Sequence, residues 1–152
     1  MKGEIIVKAF IDKKAISNEI AKQMIEAATK KARELKIAVN VAVVDDGGHL
    51  VAFSRMDHAA ILSINIAQNK AYSAIAFGIP THEWYGLIKD HPALKTGIVH
   101  TDRLVVFGGG YPIYQNGYVA GGIGVSGGSE EEDQLCCEAA LQVLSNERLK
   151  ER

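Results

Sequence analysis

The sequence has few cysteines, no long apolar run and almost no net charge, and each shortage excludes a class of protein. Its 152 residues carry 17 Lys and Arg against 18 Asp and Glu, which gives a formal net charge of −1. That balance creates no electrostatic field that would favour nucleic acid or an anionic membrane. No apolar run approaches the roughly 20 residues that a transmembrane helix needs. We therefore expect partners other than nucleic acid or a membrane.

The only two cysteines, Cys136 and Cys137, are adjacent in the chain. Neighbours on a helix point about 100° apart and cannot form an ordinary disulfide. The first four residues include an early acid and are followed by a short apolar patch, unlike a signal peptide. We therefore expect two packed, reduced thiols and a cytoplasmic location.

The periodicity predicts one α+β domain over 1–152, with an antiparallel sheet flanked by helices. In chain order we expect a strand over 4–10, a helix from an N-cap at Asp12 to Lys36, strands over 39–44 and 50–54, helices over 59–77 and 81–88, an irregular loop over 89–103, strands over 104–107, 111–114 and 118–125, and a helix from Ser129. Turn residues at 45–48 and 116–117 predict two hairpins, which make the sheet largely antiparallel.

Glycine-rich turns near the end of the chain are candidate ligand-binding or catalytic segments. Residues 122–127 match G-x-G-x-x-G, but a dinucleotide site needs a second parallel strand after the helix, and none follows. Residues 124–128 match the nucleophile elbow around Ser126, yet no histidine follows His100. Bare backbone N–H groups at a helix start attract an anion. We expect either a carboxylate-binding backbone or close strand–helix packing.

Charged side chains near the ends of predicted elements are the other candidates. Arg55 and Asp57 end a strand, where they would form an exposed ion pair or hold a substrate carboxylate. Lys70 lies in an apolar helix and would snorkel to solvent or, if buried near Asp45, act as a pocket cation or acid–base group. The histidines lack the spacing of a dedicated zinc site.

Taken together, these segments resemble one known family. The matching pieces are Val-Ala-Val-Val-Asp-Asp-Gly-Gly-His-Leu at 41–50, Arg-Met-Asp at 55–57, Asn-Lys-Ala at 69–71, Gly-Gly-Gly-Tyr-Pro-Ile at 108–113, Asn-Gly at 116–117, Gly-Gly-Ile-Gly-Val-Ser-Gly-Gly at 121–128, Asp133 and Ala-Ala at 139–140. The ordered set covers about residues 12–145 and is similar to the GlcG/HbpS/PduO C-terminal family, the haem-degrading domain proteins.

The resemblance implies a profilin-like fold, assembly into homo-oligomers from dimers to octamers, and a small-molecule ligand such as haem. It also implies a role accessory to glycolate or diol catabolism. Haem-binding PduO-type members use a histidine in the first helix, and the family usually has glycine after Arg-x-Asp. Here the first predicted helix has no histidine and position 58 is His. An axial ligand would come from His58, His82, another His, or a Met, Tyr or hydroxyl.

Three functions stay open at this point: a haem or tetrapyrrole binder, a cofactor-independent isomerase, deaminase or hydrolase of a small unsaturated carboxylate, and a non-catalytic oligomeric sensor or assembly subunit. The enzyme would hold an oxyanion on backbone N–H groups at 109–110 or 127–128. The predicted ligand-binding residues are Asp45, Gly109, Gly110, Tyr111, Pro112, Ser126, Gly127 and Gly128, and the predicted catalytic residues are Arg55, Asp57 and Lys70. All three functions assume that Arg55, Lys70 and the glycines surround one hollow.

Overall fold

The computed structural model describes residue 3 and residues 5–150, with the side chains of 148–150 excepted. The α-helices are α1 (Asn18–Glu34), α2 (Leu62–Phe77), α3 (Trp84–Ile88), α4 (Pro92–Gly97) and α5 (Glu130–Lys150), and the strands are β1 (Asn40–Asp45), β2 (Leu50–Arg55), β3 (Gly110–Gln115) and β4 (Tyr118–Ser126). Short 3₁₀ turns occupy Thr81–Glu83 and Ile98–His100. Among the residues described, no helix is long and apolar enough to cross a membrane.

The four strands form one antiparallel sheet in the order β2-β1-β4-β3. Side chains alternate between its two faces. On one face Val39, Val41 and Val43 pack with α1 and α5 in the main core. On the other face Ala42 and Val44 pack against α2. The predicted α+β fold, with an antiparallel sheet between helices, is therefore confirmed.

Local chemistry explains where several elements begin and end. Asp45 Oδ1 accepts the N–H groups of Gly47 and His49, each at 2.9 Å, and closes the first hairpin. Gly78 ends α2 in the left-handed conformation at φ 67°. Ser129 and Glu132 form a capping box at the start of α5 through reciprocal hydrogen bonds of 2.8 and 3.2 Å.

The predicted start of the chain was wrong in two respects. Residues 5–10 form no strand, and residue 4 of the predicted strand lies outside the described part of the chain. A strand requires a neighbour, and this segment's backbone joins the sheet only further on, where Ile16 N donates to Ala120 O at 2.9 Å. The N-cap of α1 is Ser17, whose hydroxyl accepts from Ile20 N, rather than Asp12. We call residues 5–16 the arm.

The middle of the chain also departs from the prediction. The expected loop over 89–103 contains α4, which begins at Pro92, a residue suited to the first turn of a helix. Residues 104–107 form no strand, because Val105 N donates to the Ser73 hydroxyl of α2 at 2.9 Å instead of to a neighbouring strand. Both cysteines are free and buried in α5, as expected.

Candidate functional site

Lys70 is buried at the centre of the molecule. Its side chain is 1% exposed, and Nζ donates to Asp133 Oδ2 at 2.9 Å and to Val125 O at 2.8 Å. The ring of Phe107 covers the ammonium with its centroid 5.1 Å away. Of the two alternatives predicted for Lys70, snorkelling to solvent or burial near Asp45, the side chain is buried. Its ionic partner, however, is Asp133 and not Asp45. Asp45 lies beside Gly121, four residues along β4 from Val125.

The Asp133 carboxylate accepts a hydrogen bond from the backbone at the start of α5. Its Oδ1 accepts from Gly128 N at 2.9 Å, while Oδ2 faces Lys70. Burial raises the pKa of the Asp133 carboxyl, although the Lys70 ammonium and the N–H groups of Gly128 and Gly127 act in the opposite direction. The carboxylate is thus the anion that this helix start already binds.

The triple-glycine segment is held in the same way by side chains. Gly108 N donates to Glu130 Oε1 at 2.6 Å, and Gly110 N donates to Thr81 Oγ1 at 2.9 Å. Gly109 adopts φ 115°, and a Cβ there would lie 2.6 Å from Lys70 Nζ. Of the N–H groups at 109–110 and 127–128, those of Gly110 and Gly128 already donate to Thr81 Oγ1 and Asp133 Oδ1.

The remaining predicted residues do not line one common hollow with Lys70. Asp45 belongs to the first hairpin turn. Partial burial raises the pKa of its carboxyl, but hydrogen bonds from the N–H groups of His49 and Gly47 and the nearby His49 imidazole lower it by more. The pKa of Asp45 is therefore below its ordinary value. Tyr111 is half-buried and donates to Glu138 Oε1 at 3.1 Å. Burial, and then Glu138, raise the pKa of the Tyr111 phenol. Pro112 and Ser126 are buried in β3 and β4.

A first cleft lies between the arm and the turn that joins β3 to β4, and we call it the arm cleft. Its volume is about 640 Å³. Its apolar wall is formed by Phe10, Ile11, Tyr118 and Val119, and its polar rim by Lys8, Asp12, Lys13, Lys14, Asp46, Gln115 and Asn116. Lys13 Nζ lies 3.5 Å from Asp46 Oδ2 and ties the arm to the first hairpin.

A second, smaller cleft is lined by Arg55, Met56, Asp57 and His58, and we call it the Arg55 cleft. Its volume is about 290 Å³. The predicted ion pair between Arg55 and Asp57 is not among the salt bridges of the described residues. Arg55, Asp57 and the metal candidate His58 therefore lie together, but Lys70 and the glycines line neither cleft.

His82, the other metal candidate, contacts the ring of Tyr111 with centroids 5.5 Å apart. It lines neither cleft. Within the described residues, no group of three or more His, Cys, Asp or Glu side chains is arranged to hold a metal ion.

Sequence reasoning missed the arm cleft. The short apolar patch that begins at residue 5 favours a strand over 4–10, and a strand gives Lys8 and Phe10 no role in ligand binding. Tyr118 follows an Asn-Gly turn and was considered only as the start of a strand. The signal available was the clustering of Lys8, Lys13 and Lys14 beside apolar residues in an otherwise balanced sequence.

Comparison with known proteins gives consistent results. The family model described as "Haem degrading protein HbpS-like" matches residues 16–142. An uncharacterised 15.0 kDa protein from the dhaT-dhaS intergenic region of Citrobacter freundii is 40% identical over 126 residues, covering 82% of this chain and 89% of that protein.

Two solved structures extend the similarity to the fold. Protein ORFY of Klebsiella pneumoniae is 36% identical with a TM-score of 0.85, covering 93% of this chain and 98% of that one. A PduOC–haem complex is 34% identical with a TM-score of 0.80, covering 85% of this chain and 94% of that one. The resemblance inferred from the motifs is confirmed, and the chain belongs to the HbpS-like family of haem-degrading proteins.

Proposed function

We propose that the protein binds haem, or a closely related tetrapyrrole, in the arm cleft. The observation that carries the proposal is the combination in this cleft of an apolar wall with lysine ammonium groups that have no carboxylate partner among the described residues. The family description and the haem complex of a relative that is 34% identical support haem over other flat ligands. The same relatives support a small-molecule ligand more generally.

The size and composition of the arm cleft fit a haem. Its volume of about 640 Å³ lies within the roughly 300–1,000 Å³ of small-molecule and cofactor sites. Phe10, Ile11 and Val119 would contact the apolar macrocycle. Because a haem exposes two propionates, it requires cations at the rim of its site.

Lys8 and Lys14 provide those cations. Of the three lysines in the cleft, Lys13 is paired with Asp46, and the salt bridges of the described residues leave Lys8 and Lys14 without a carboxylate partner. The two acids of the cleft oppose an anionic ligand, but Asp46 is neutralised by its pairing. One ammonium for each propionate is therefore available.

Tyr118 is the side chain in the cleft best suited to ligate haem iron. It is 75% exposed, and the lining residues include no His, Met or Cys. A tyrosine oxygen is an established axial ligand of ferric haem. Haem supplies the iron chemistry when bound, whereas Tyr118, Lys8 and Lys14 orient it. His58 and His82 lie outside this cleft.

A haem titration followed at the Soret band tests the proposal. We expect a saturable shift at micromolar haem, affinity reduced about tenfold or more in Lys8→Glu/Lys14→Glu, and an altered spectrum with retained binding in Tyr118→Phe. Lys22→Glu/Lys30→Glu, which makes the same charge change on exposed positions of α1, should bind as the wild type does. The absence of a saturable shift would rule out haem binding. Loss of the shift in His58→Ala or in His82→Ala, with the shift retained in the arm-cleft variants, would rule out the arm cleft as the haem site.

We also infer that copies of this chain associate. The arm exposes Ile5, Ile6, Val7 and Phe10, each at least 84% accessible, and apolar side chains so grouped are typical of protein contacts. Native mass spectrometry during the haem titration measures this directly: a haem-dependent change in oligomer size would favour a sensor. Two buried free thiols support a reducing, cytoplasmic compartment.

A further inference from the structure

The Arg55 cleft and the arm cleft lie at opposite ends of the sheet. Arg55 pairs with Asn40, and Asn40 pairs with Ser126 on its other side, so these three residues form a row across β2, β1 and β4. Asp46 of the arm cleft follows Asp45, at the far end of β1. The six residues of β1 separate the two ends by about 17 Å. The Arg55 cleft is therefore a separate site.

Within the described part of the chain, the Arg55 guanidinium has no ionic partner. Among the described residues, the four salt bridges do not include Arg55, although Asp57 is only two positions away. A guanidinium offers five N–H donors in a planar fork that matches a carboxylate. An unpaired arginine beside a cleft is therefore able to bind an anion from solution.

His58 occupies a turn position that favours glycine. The turn closes with Ala59 N donating to Met56 O at 3.1 Å, and His58 adopts φ 68°. A left-handed conformation is uncommon for residues other than glycine, and retained strain of this kind clusters at functional sites. The His58 side chain is exposed and lines the cleft together with Arg55.

Asn40 links this turn to the sheet and is itself incompletely bonded. Its Nδ2 donates to Ala60 O at 3.1 Å, which fixes the orientation of the amide, and its Oδ1 is buried with no hydrogen-bond partner among the described residues. Buried acceptors without a donor are rare in folded proteins. Asn40 does not line the Arg55 cleft, but its hydrogen bond to Ala60 makes it a positioning residue for the 56–60 turn.

We propose that the Arg55 cleft binds a small monocarboxylate, with the carboxylate paired to the Arg55 guanidinium and a second hydrogen bond donated by the His58 imidazole. The volume of about 290 Å³ excludes a haem-sized ligand. The neighbouring Asp57 carboxylate disfavours a ligand with a second negative charge. The site does not depend on the arm cleft or on haem.

Titration of the ¹⁵N-labelled protein with sodium propionate, observed by NMR, tests this site. We expect saturable shifts of the Arg55 side-chain Nε–H and of the Asp57, His58 and Ala59 amides, with a Kd of about 1–10 mM. Neutral propionamide should not reproduce them. Equal shifts with propionamide, equal shifts with sodium sulfate, or no saturation would each overturn the proposal.

Variants separate binding from folding. Arg55→Gln should abolish saturation, and Arg55→Lys should weaken binding because an ammonium cannot pair with both carboxylate oxygens in one plane. His58→Gly should weaken binding about fivefold or more without lowering Tm, because glycine adopts the positive φ without strain. Arg33→Gln, on an exposed position of α1, is the matched control and should bind propionate as the wild type does.

Two further outcomes bear on the proposal. Retained saturation in Arg55→Gln would overturn it. Arg55→Gln should leave the Soret titration unchanged, so that failure of this site and failure of haem binding in the arm cleft are distinguished.

Discussion

Replacing Lys70 by methionine tests the buried ion pair at the centre of the fold. Methionine keeps an unbranched side chain of similar length but removes the ammonium that lies 2.9 Å from Asp133 Oδ2 and 2.8 Å from Val125 O. Asp133, whose side chain is 4% exposed, would retain the Gly128 N–H but lose its countercharge. An unpaired buried carboxylate is therefore the main consequence of the substitution.

The expected loss in free energy of unfolding is about 3–5 kcal/mol, the range found when one partner of a buried ion pair is removed. That is a large part of the roughly 5–15 kcal/mol that stabilises an ordinary domain. Urea denaturation followed by far-UV circular dichroism measures it as a decrease in the midpoint with an unchanged slope. The double variant Lys70→Met/Asp133→Asn removes both charges and should recover most of the loss, so the two substitutions should be strongly non-additive.

The pH dependence provides an independent check. Burial raises the pKa of the Asp133 carboxyl in the folded state above its ordinary value of 3.8. For a carboxyl group with a raised folded pKa, stability is gained as the pH falls through the folded pKa and is lost as the pH rises through it. Lys70→Met removes the ammonium that lowers this pKa, so the variant should gain more stability than the wild type on acidification. The difference in free energy of unfolding between the two should therefore narrow towards pH 4. A loss below about 1 kcal/mol, or additive single effects, would refute coupling between Lys70 and Asp133.

Two other predictions concern packing and the first hairpin. A Cβ at Gly124 would collide with the backbone oxygen of Ala67 in α2, so Gly124→Ala should lower the free energy of unfolding by about 1–3 kcal/mol. Gly86→Ala in α3, where a Cβ meets open space, is the control and should be neutral or stabilising in the same thermal melts. Asp45→Asn should cost about 1 kcal/mol near neutral pH, and because the pKa of Asp45 is lowered on folding, this difference should begin to decrease below pH 3.8 and disappear as the pH falls through the folded pKa. A difference that does not decrease at all on acidification would contradict that cause.

The elements that were predicted correctly are those whose signals are local. In such elements the backbone groups are satisfied by residues only a few positions away, so the sequence alone identifies them. Examples are the Asp-Asp-Gly-Gly turn, Gly78 at the end of α2 and the Ser129–Glu132 box. Residues 5–10 have a composition suited to a strand but no neighbouring strand to pair with, and pairing depends on the whole fold. The strand predicted over 104–107 is absent for the same reason: the Ser73 hydroxyl, and not a neighbouring strand, accepts from the backbone there.

The candidate site was predicted less well because its contacts join distant parts of the chain. Lys70 and Asp133 are 63 positions apart, and nothing in the local pattern distinguishes Asp133 from the other acids in the first turn of α5. Asp133 itself serves as the anion at this helix start, because its Oδ1 accepts from Gly128 N. Arg55, Asp57 and His58 were found together because they are consecutive or nearly so.

The glycines that suggested a central ligand hollow explain why the open clefts lie elsewhere. A Cβ at Gly122 or Gly124 would strike the backbone of α2, so the missing side chains allow this helix to sit directly on the sheet. Close contact of α2 with the sheet leaves Lys70 enclosed by protein, where Asp133 must neutralise it. Open clefts then lie at the two ends of the sheet, and the salt bridges of the described residues leave Lys8, Lys14 and Arg55 without carboxylate partners. The two clefts share no lining residue, so a ligand can bind in one cleft without moving any side chain that lines the other. Substitutions in the two clefts should therefore have additive effects on binding.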